Sequence, residues 1–172
     1  SVNPTYKHMF QKPELHHSFW RDLWQDHSSN MVKALPKGLL VSIRDLCNEG
    51  SFYRALHVVD HHVHHINNHH THNGFQVLFY ALIRACKSKK HLIAVSQLIS
   101  KSGLEDHAYL GSHLIRKFAS FRSLYEANRV FHMVSNPNKF TWAAIILANA
   151  NLGDGNKALE LYHEMQRCSN VK

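Results

Sequence analysis

The sequence predicts an all-α solenoid of about four helix-turn-helix repeats over residues 36–172, preceded by a short N-terminal extension over residues 1–35. Two observations predict it. Apolar-Ile or Ser-Ile steps end at Ile43, Ile83, Ile115 and Ile146, and twelve residues after each stands a small or compact side chain, Ala55, Val95, Ala127 or Ala158. Within the units, apolar residues recur at the spacing of a helix face instead of alternating as in a strand. A helical hairpin cannot bury both of its faces alone, so neighbouring hairpins must stack.

The units expected from this punctuation are about 36–75, 76–107, 108–138 and 139–172. In the extension, residues 13–26 form one predicted helix, with Leu15, Phe19 and Leu23 on a stripe and Trp20 and Trp24 beside it. It is expected to cap the first repeat or to dock on a partner, and residues 27–35 then read as a polar linker. The turn inside each unit is expected at Gly50, Lys90, Arg122 and Gly153, five residues before each small side chain. In the third unit Ala127, Val130, Phe131 and Val134 make the second-helix face. In the fourth, Trp142, Ile145, Ile146 and Asn149 share one face, and Ala158, Leu161, Tyr162 and Met165 share the next. The second unit is expected to be short by several residues in its second helix. The fourth stops at Lys172, one residue before a full repeat would close, and the chain begins with Ser, so it is expected to be processed, trimmed or a fragment.

Composition bounds what such an array contacts. Hydrophobic residues are 44% and charged residues 19% of the 172, enough apolar surface for a buried core. Twenty Lys and Arg against twelve Asp and Glu give a formal charge of +8, which points to an anionic partner, nucleic acid before a membrane surface. The charge is concentrated: residues 76–139 hold ten basic residues against Glu105, Asp106 and Glu126. Lys87, Lys89, Lys90, Arg116, Lys117 and Arg122 are the candidate phosphate-binding residues there, with Arg84 beside them. The longest apolar runs, Val77 to Ile83 and Trp142 to Ala148, are too short to span a bilayer. Three dispersed cysteines, Cys47, Cys86 and Cys168, argue against a disulfide framework and for a reducing compartment.

Catalytic and metal chemistry find little support. His61, His62, His64, His65, His69, His70 and His72 crowd one stretch, and His61 with His65 would share a metal only if that segment were helical. A polar, low-complexity surface loop between repeats is the expected state of this tract, so neither metal nor cofactor is expected. Cys47 and Cys86 fall within predicted first helices, where a buried small side chain is the ordinary state of a cysteine. The chain has no Gly-x-Ser-x-Gly, no His-Glu-x-x-His and no phosphate-cradling glycine loop, and no enzymatic activity is expected.

The stretches Thr141-Trp142, Ile145-Ile146, Gly153, Ala158-Leu159-Glu160-Leu161-Tyr162 and Glu164-Met165 resemble a pentatricopeptide repeat. Leu82-Ile83-Arg84-Ala85-Cys86 with Lys101-Ser102-Gly103-Leu104-Glu105 resembles the long repeat variant of plant-type members, and residues 108–138 resemble the short variant. Residues 43–60 look like a fourth copy. The aromatic and Gly-Tyr pattern of a tetratricopeptide repeat is absent.

The resemblance implies single-stranded RNA as the partner, with one base read per repeat through two or three side chains. It places the base-reading residues of the third unit at Ser112 and Asn138, a pair that suggests adenine, with Tyr109 and Phe140 stacking on that base. Leu40, Tyr80, Ala143 and His107 fill the corresponding positions elsewhere and assign no base. It further implies an adaptor in organellar transcript processing, such as editing, stability, splicing or translation, in the mitochondrion or alternatively the plastid. Editing-complex proteins would be its neighbours. The alternative is a structural subunit of an organellar ribosome that contacts rRNA and ribosomal proteins.

Overall fold

The computed structural model of the chain describes residues 38–65 and 72–169. Eight helices occupy them: α1 (Leu39–Asn48), α2 (Phe52–His65), α3 (His72–Ala85), α4 (Lys89–Lys101), α5 (Ala108–Ser120), α6 (Leu124–Met133), α7 (Lys139–Asn151) and α8 (Gly155–Ser169). They pair in chain order as four hairpins. The first helices α1, α3, α5 and α7 touch one another in succession, and each second helix packs on the first helix of its own hairpin. The result is an all-α repeat solenoid.

The small side chains explain how closely the layers approach. Ala55, Val95 and Ala127 have no exposed surface and Ala158 is 8% exposed. Ile43, Ile83 and Ile115 are likewise buried, whereas in the last hairpin Ile145 takes the deep position and Ile146 is only half-buried. At Gly111 of α5 the packing leaves no room for a side chain: an added Cβ would stand 2.6 Å from Cγ2 of Val134, the residue that follows α6.

Three of the four hairpin turns share one closure. Gly50, Arg122 and Gly153 have φ of 80°, 55° and 96°, and the next residue's N–H reaches back five residues. Those bonds are Ser51 to Leu46 O at 2.8 Å, Ser123 to Phe118 O at 2.9 Å and Asp154 to Asn149 O at 2.9 Å, the Schellman arrangement.

The second hairpin departs from expectation twice. Lys90 is not a turn residue: it lies in the first turn of α4, and the turn is the short link Cys86–Ser88. Ser88 caps α4 by accepting from the His91 N–H at 3.3 Å, which starts the helix before Lys90. The second helix of this unit is also not short by several residues, since α4 has 13 residues beside 14 in α2 and 15 in α8. A left-handed Gly103, with Leu104 N–H bonded to Ile99 O at 3.1 Å, closes α4 instead.

The histidine tract is corrected as well. His61, His62, His64 and His65 belong to α2, and His72 opens α3, so these positions are helix and not loop. The apolar stripe Phe52, Ala55 and Val59 holds α2 against the core and carries the helix beyond the last buried residue. The expected extension helix over residues 13–26 and the linker over 27–35 lie outside the described residues, as do His69 and His70.

Candidate nucleic-acid interface

Residues four apart lie on one face of a helix, so Gln76, Tyr80 and Arg84 form a line along α3, and Tyr109, His113 and Lys117 form one along α5. Because α3 and α5 are in contact, the two lines meet. The Tyr80 ring centroid is 4.6 Å from that of His113 and 6.0 Å from that of Tyr109, and Tyr109 lies 4.7 Å from His113. None of these three side chains is fully buried. Arg84 places its guanidinium 5.9 Å from the Tyr80 ring centre, and Lys117 Nζ donates to the Arg84 carbonyl at 3.3 Å. Cation and aromatic faces therefore alternate along this junction.

Burial tunes the groups around it. His107 precedes α5, and Gln76 Nε2 donates to its Nε2 at 2.8 Å, which requires that nitrogen to be an acceptor. Desolvation lowers the His107 pKa and favours that neutral ring, with Asp106 opposing. Desolvation raises the Tyr109 phenol, with Tyr80 adding to the effect, so it stays protonated. Arg116 is lowered by the same cause, a sign that its guanidinium is partly withdrawn from water.

Ser112 and Asn138 occupy different environments. Ser112 is 1% exposed, and its hydroxyl donates to the Tyr109 carbonyl at 2.8 Å. Asn138 is exposed and caps α7: its Oδ1 accepts from the N–H groups of Phe140 at 2.9 Å and Thr141 at 3.0 Å. The Thr141 hydroxyl donates to the same oxygen at 3.2 Å. Phe140 follows the cap, half-buried, with Lys139 Nζ 5.1 Å from its ring centre. Tyr109 thus joins the α3–α5 cluster, while Asn138 and Phe140 stand at the start of α7.

The remaining cations line the turns. Lys87, Lys89 and Lys90 are exposed around the start of α4, and Arg122 is exposed in the α5–α6 turn. None of these four has a carboxylate within salt-bridge distance among the described residues. Lys89 and Lys90 sit at the positive end of the helix macrodipole, where cations are unfavourable and no acidic residue offsets them. The stability of α4 does not explain them. Tyr80 and His113 carry no message in a base-by-base reading of the sequence, yet their four-residue spacing from Arg84 and Lys117 marks the face they share.

Other chemistry is sparse. Burial pushes the Cys86 thiol up to about 12, and Cys47 is raised by the same effect, so neither is a thiolate at neutral pH. Among the described residues no three His, Cys, Asp or Glu side chains converge on a metal position, and no helix is long and apolar enough to cross a membrane.

Comparison with known proteins points one way. The chain is 30% identical over 90 residues to a pentatricopeptide repeat-containing protein of Arabidopsis thaliana whose name describes it as chloroplastic, covering 51% of this chain and 15% of that protein. Two further pentatricopeptide repeat-containing proteins of the same plant match at 29% over 89 residues and 33% over 87 residues, covering 50% and 49% of this chain. The aligned part spans only 11% and 13% of those two proteins, so the chain matches a small portion of each relative. No family model and no solved structure matches. Together with the four stacked hairpins, this makes the chain similar to pentatricopeptide repeat-containing proteins over about half of its length.

Proposed function

We propose that this repeat array binds single-stranded RNA as an adaptor in organellar transcript processing, in the mitochondrion or alternatively the plastid. The observation that carries the proposal is the α3–α5 junction, where Tyr80, Tyr109 and His113 cluster with the Arg84 guanidinium above Tyr80. Bases stack on aromatic faces with roughly 1–3 kcal/mol each, and cations beside them track the phosphates. Lys87, Lys89, Lys90, Arg116, Lys117 and Arg122 are the proposed phosphate partners. Tyr109 and Phe140 are the proposed stacking residues, and Ser112 with Asn138 the proposed base-reading pair. Asn138 already stands at the surface. Ser112 is 1% exposed, so a base edge reaches its hydroxyl only if the side chains that cover it move aside.

The proposal is tested by fluorescence anisotropy with labelled single-stranded RNA across a salt series. Affinity should fall as salt rises, with a logarithmic slope of about −0.7 per phosphate neutralised. A slope near zero would exclude phosphate binding. The burial of Ser112 weighs against base reading by this unit, and the alternative role that needs no base reading is a structural subunit of an organellar ribosome that contacts rRNA. Stoichiometric co-sedimentation with ribosomal particles, combined with indifference to RNA sequence, would select that role over a free processing factor.

A further inference from the structure

The last two turns of α2 bring four imidazoles together, and they divide into two kinds. His62 Nδ1 lies 3.0 Å from the Val58 carbonyl, and His64 Nε2 lies 3.1 Å from Asp60 Oδ1, so both are engaged within the helix. His61 and His65 are exposed and face each other, with ring centroids 4.1 Å apart and planes inclined by 37°. They are four residues apart, so the backbone itself holds their side chains one above the other. His57 continues the same line one turn earlier. The Asp60 carboxylate, between His64 and Lys101, adds negative charge one residue from His61.

Two neutral imidazoles on adjacent turns of a helix form a chelate for a borderline divalent ion, because imidazole nitrogen suits zinc, nickel and copper. We propose that His61 and His65 bind one such transition-metal ion, each through one ring nitrogen, with water completing the coordination. The ion would clamp the C-terminal turns of α2, where the helix has passed its last buried residue, Val59. This proposal is independent of RNA binding, since the pair is on a second helix and the aromatic cluster is on α3 and α5.

The test is calorimetric titration of the purified chain with nickel chloride and with zinc chloride, in the wild type and in the variants His61→Gln, His65→Gln and His64→Gln. Glutamine is a good helix former, and circular dichroism checks that each variant keeps its fold. Both His61→Gln and His65→Gln should weaken the tightest site by at least roughly the tenfold that disturbing even an outer-shell partner costs. His64→Gln should leave it intact. Binding unchanged in His61→Gln and His65→Gln, or lost equally in His64→Gln, would overturn the assignment. A readout without mutation is selective broadening of the His61 and His65 ring resonances by sub-stoichiometric copper, and broadening centred on other histidines would equally overturn it.

Discussion

Asn128 on α6 and Asn149 on α7 exchange hydrogen bonds across the boundary between the third and fourth hairpins. Asn149 Nδ2 donates to Asn128 Oδ1 at 3.2 Å, and Asn128 Nδ2 approaches Asn149 Oδ1 at 3.5 Å. Asn149 has no exposed surface, and its Nδ2 also donates to the Ile145 carbonyl at 2.9 Å. A polar group so placed stays in the core only because its partners are there too.

Replacing Asn149 by Ala should therefore destabilise the array by about 1–3 kcal/mol, the penalty of a cavity together with a deprived partner. Asn128→Ala should cost less, because Asn128 is only half-buried. Urea denaturation of both single variants and the double variant should show clear non-additivity, as expected for residues in direct contact. Strict additivity would mean that the pair contributes nothing as a pair.

The close approach at Gly111 predicts a second effect. Alanine there drives its methyl into Val134, and with a separation of 2.6 Å either the Val134 side chain or the backbone must shift. A loss of about 1–3 kcal/mol is expected from the overpacking. Val134→Ala should recover part of it in the Gly111→Ala background while destabilising the wild type. The same melts measure both.

Arg122 holds a left-handed conformation, φ 55°, in the position that glycine takes in the first and fourth hairpins. A residue with a Cβ is strained there by roughly 1–2 kcal/mol, partly offset because glycine loses more entropy on folding. Arg122→Gly should thus raise stability by up to about 1 kcal/mol. If Arg122 also meets phosphate, the same substitution should weaken RNA binding, and thermal melts beside anisotropy would display the opposition.

Lys89 and Lys90 give the sharpest separation of stability from function. Exchanging both for Glu should stabilise α4 by about 0.3–1 kcal/mol each through the helix dipole at low salt. RNA affinity should drop at the same time, and the salt slope should become shallower by about 0.7 for each phosphate no longer neutralised. Unchanged affinity would show that these lysines meet only water.

Asn138 tests reading against capping. Asp caps a helix about as well as Asn, so Asn138→Asp should leave stability nearly unchanged, whereas Asn138→Ala should cost about 1 kcal/mol. In an array that keeps its neighbouring repeats, Asn138→Asp should move preference at one base position from adenine towards guanine. The expected change is about 1–3 kcal/mol if the interaction matches a good base-edge pair. Retained RNA binding with no change in preference would leave Asn138 as a cap alone.

The number of hairpins and the depth of their key residues follow from the linear pattern of the chain. Ala55, Val95, Ala127 and Ala158 are buried where the twelve-residue offset puts them, because helical periodicity is a local property. The turns at Gly50 and Gly153 were legible for the same reason, as was the odd residue Arg122. Packing between repeats was not. Ser112 carries the polarity of a surface reader, but it lies on the part of α5 that its neighbours cover, and a single helix pattern does not say which flank a neighbour will cover. Tyr80 and His113 are far apart in sequence, and only the packing of α3 on α5 brings their rings to 4.6 Å. The histidine tract has the composition of a loop, yet its first part is helix because Phe52, Ala55 and Val59 anchor α2 in the core. Local spacing set the elements. The burial of one face against the next hairpin decided which side chains remained available for chemistry.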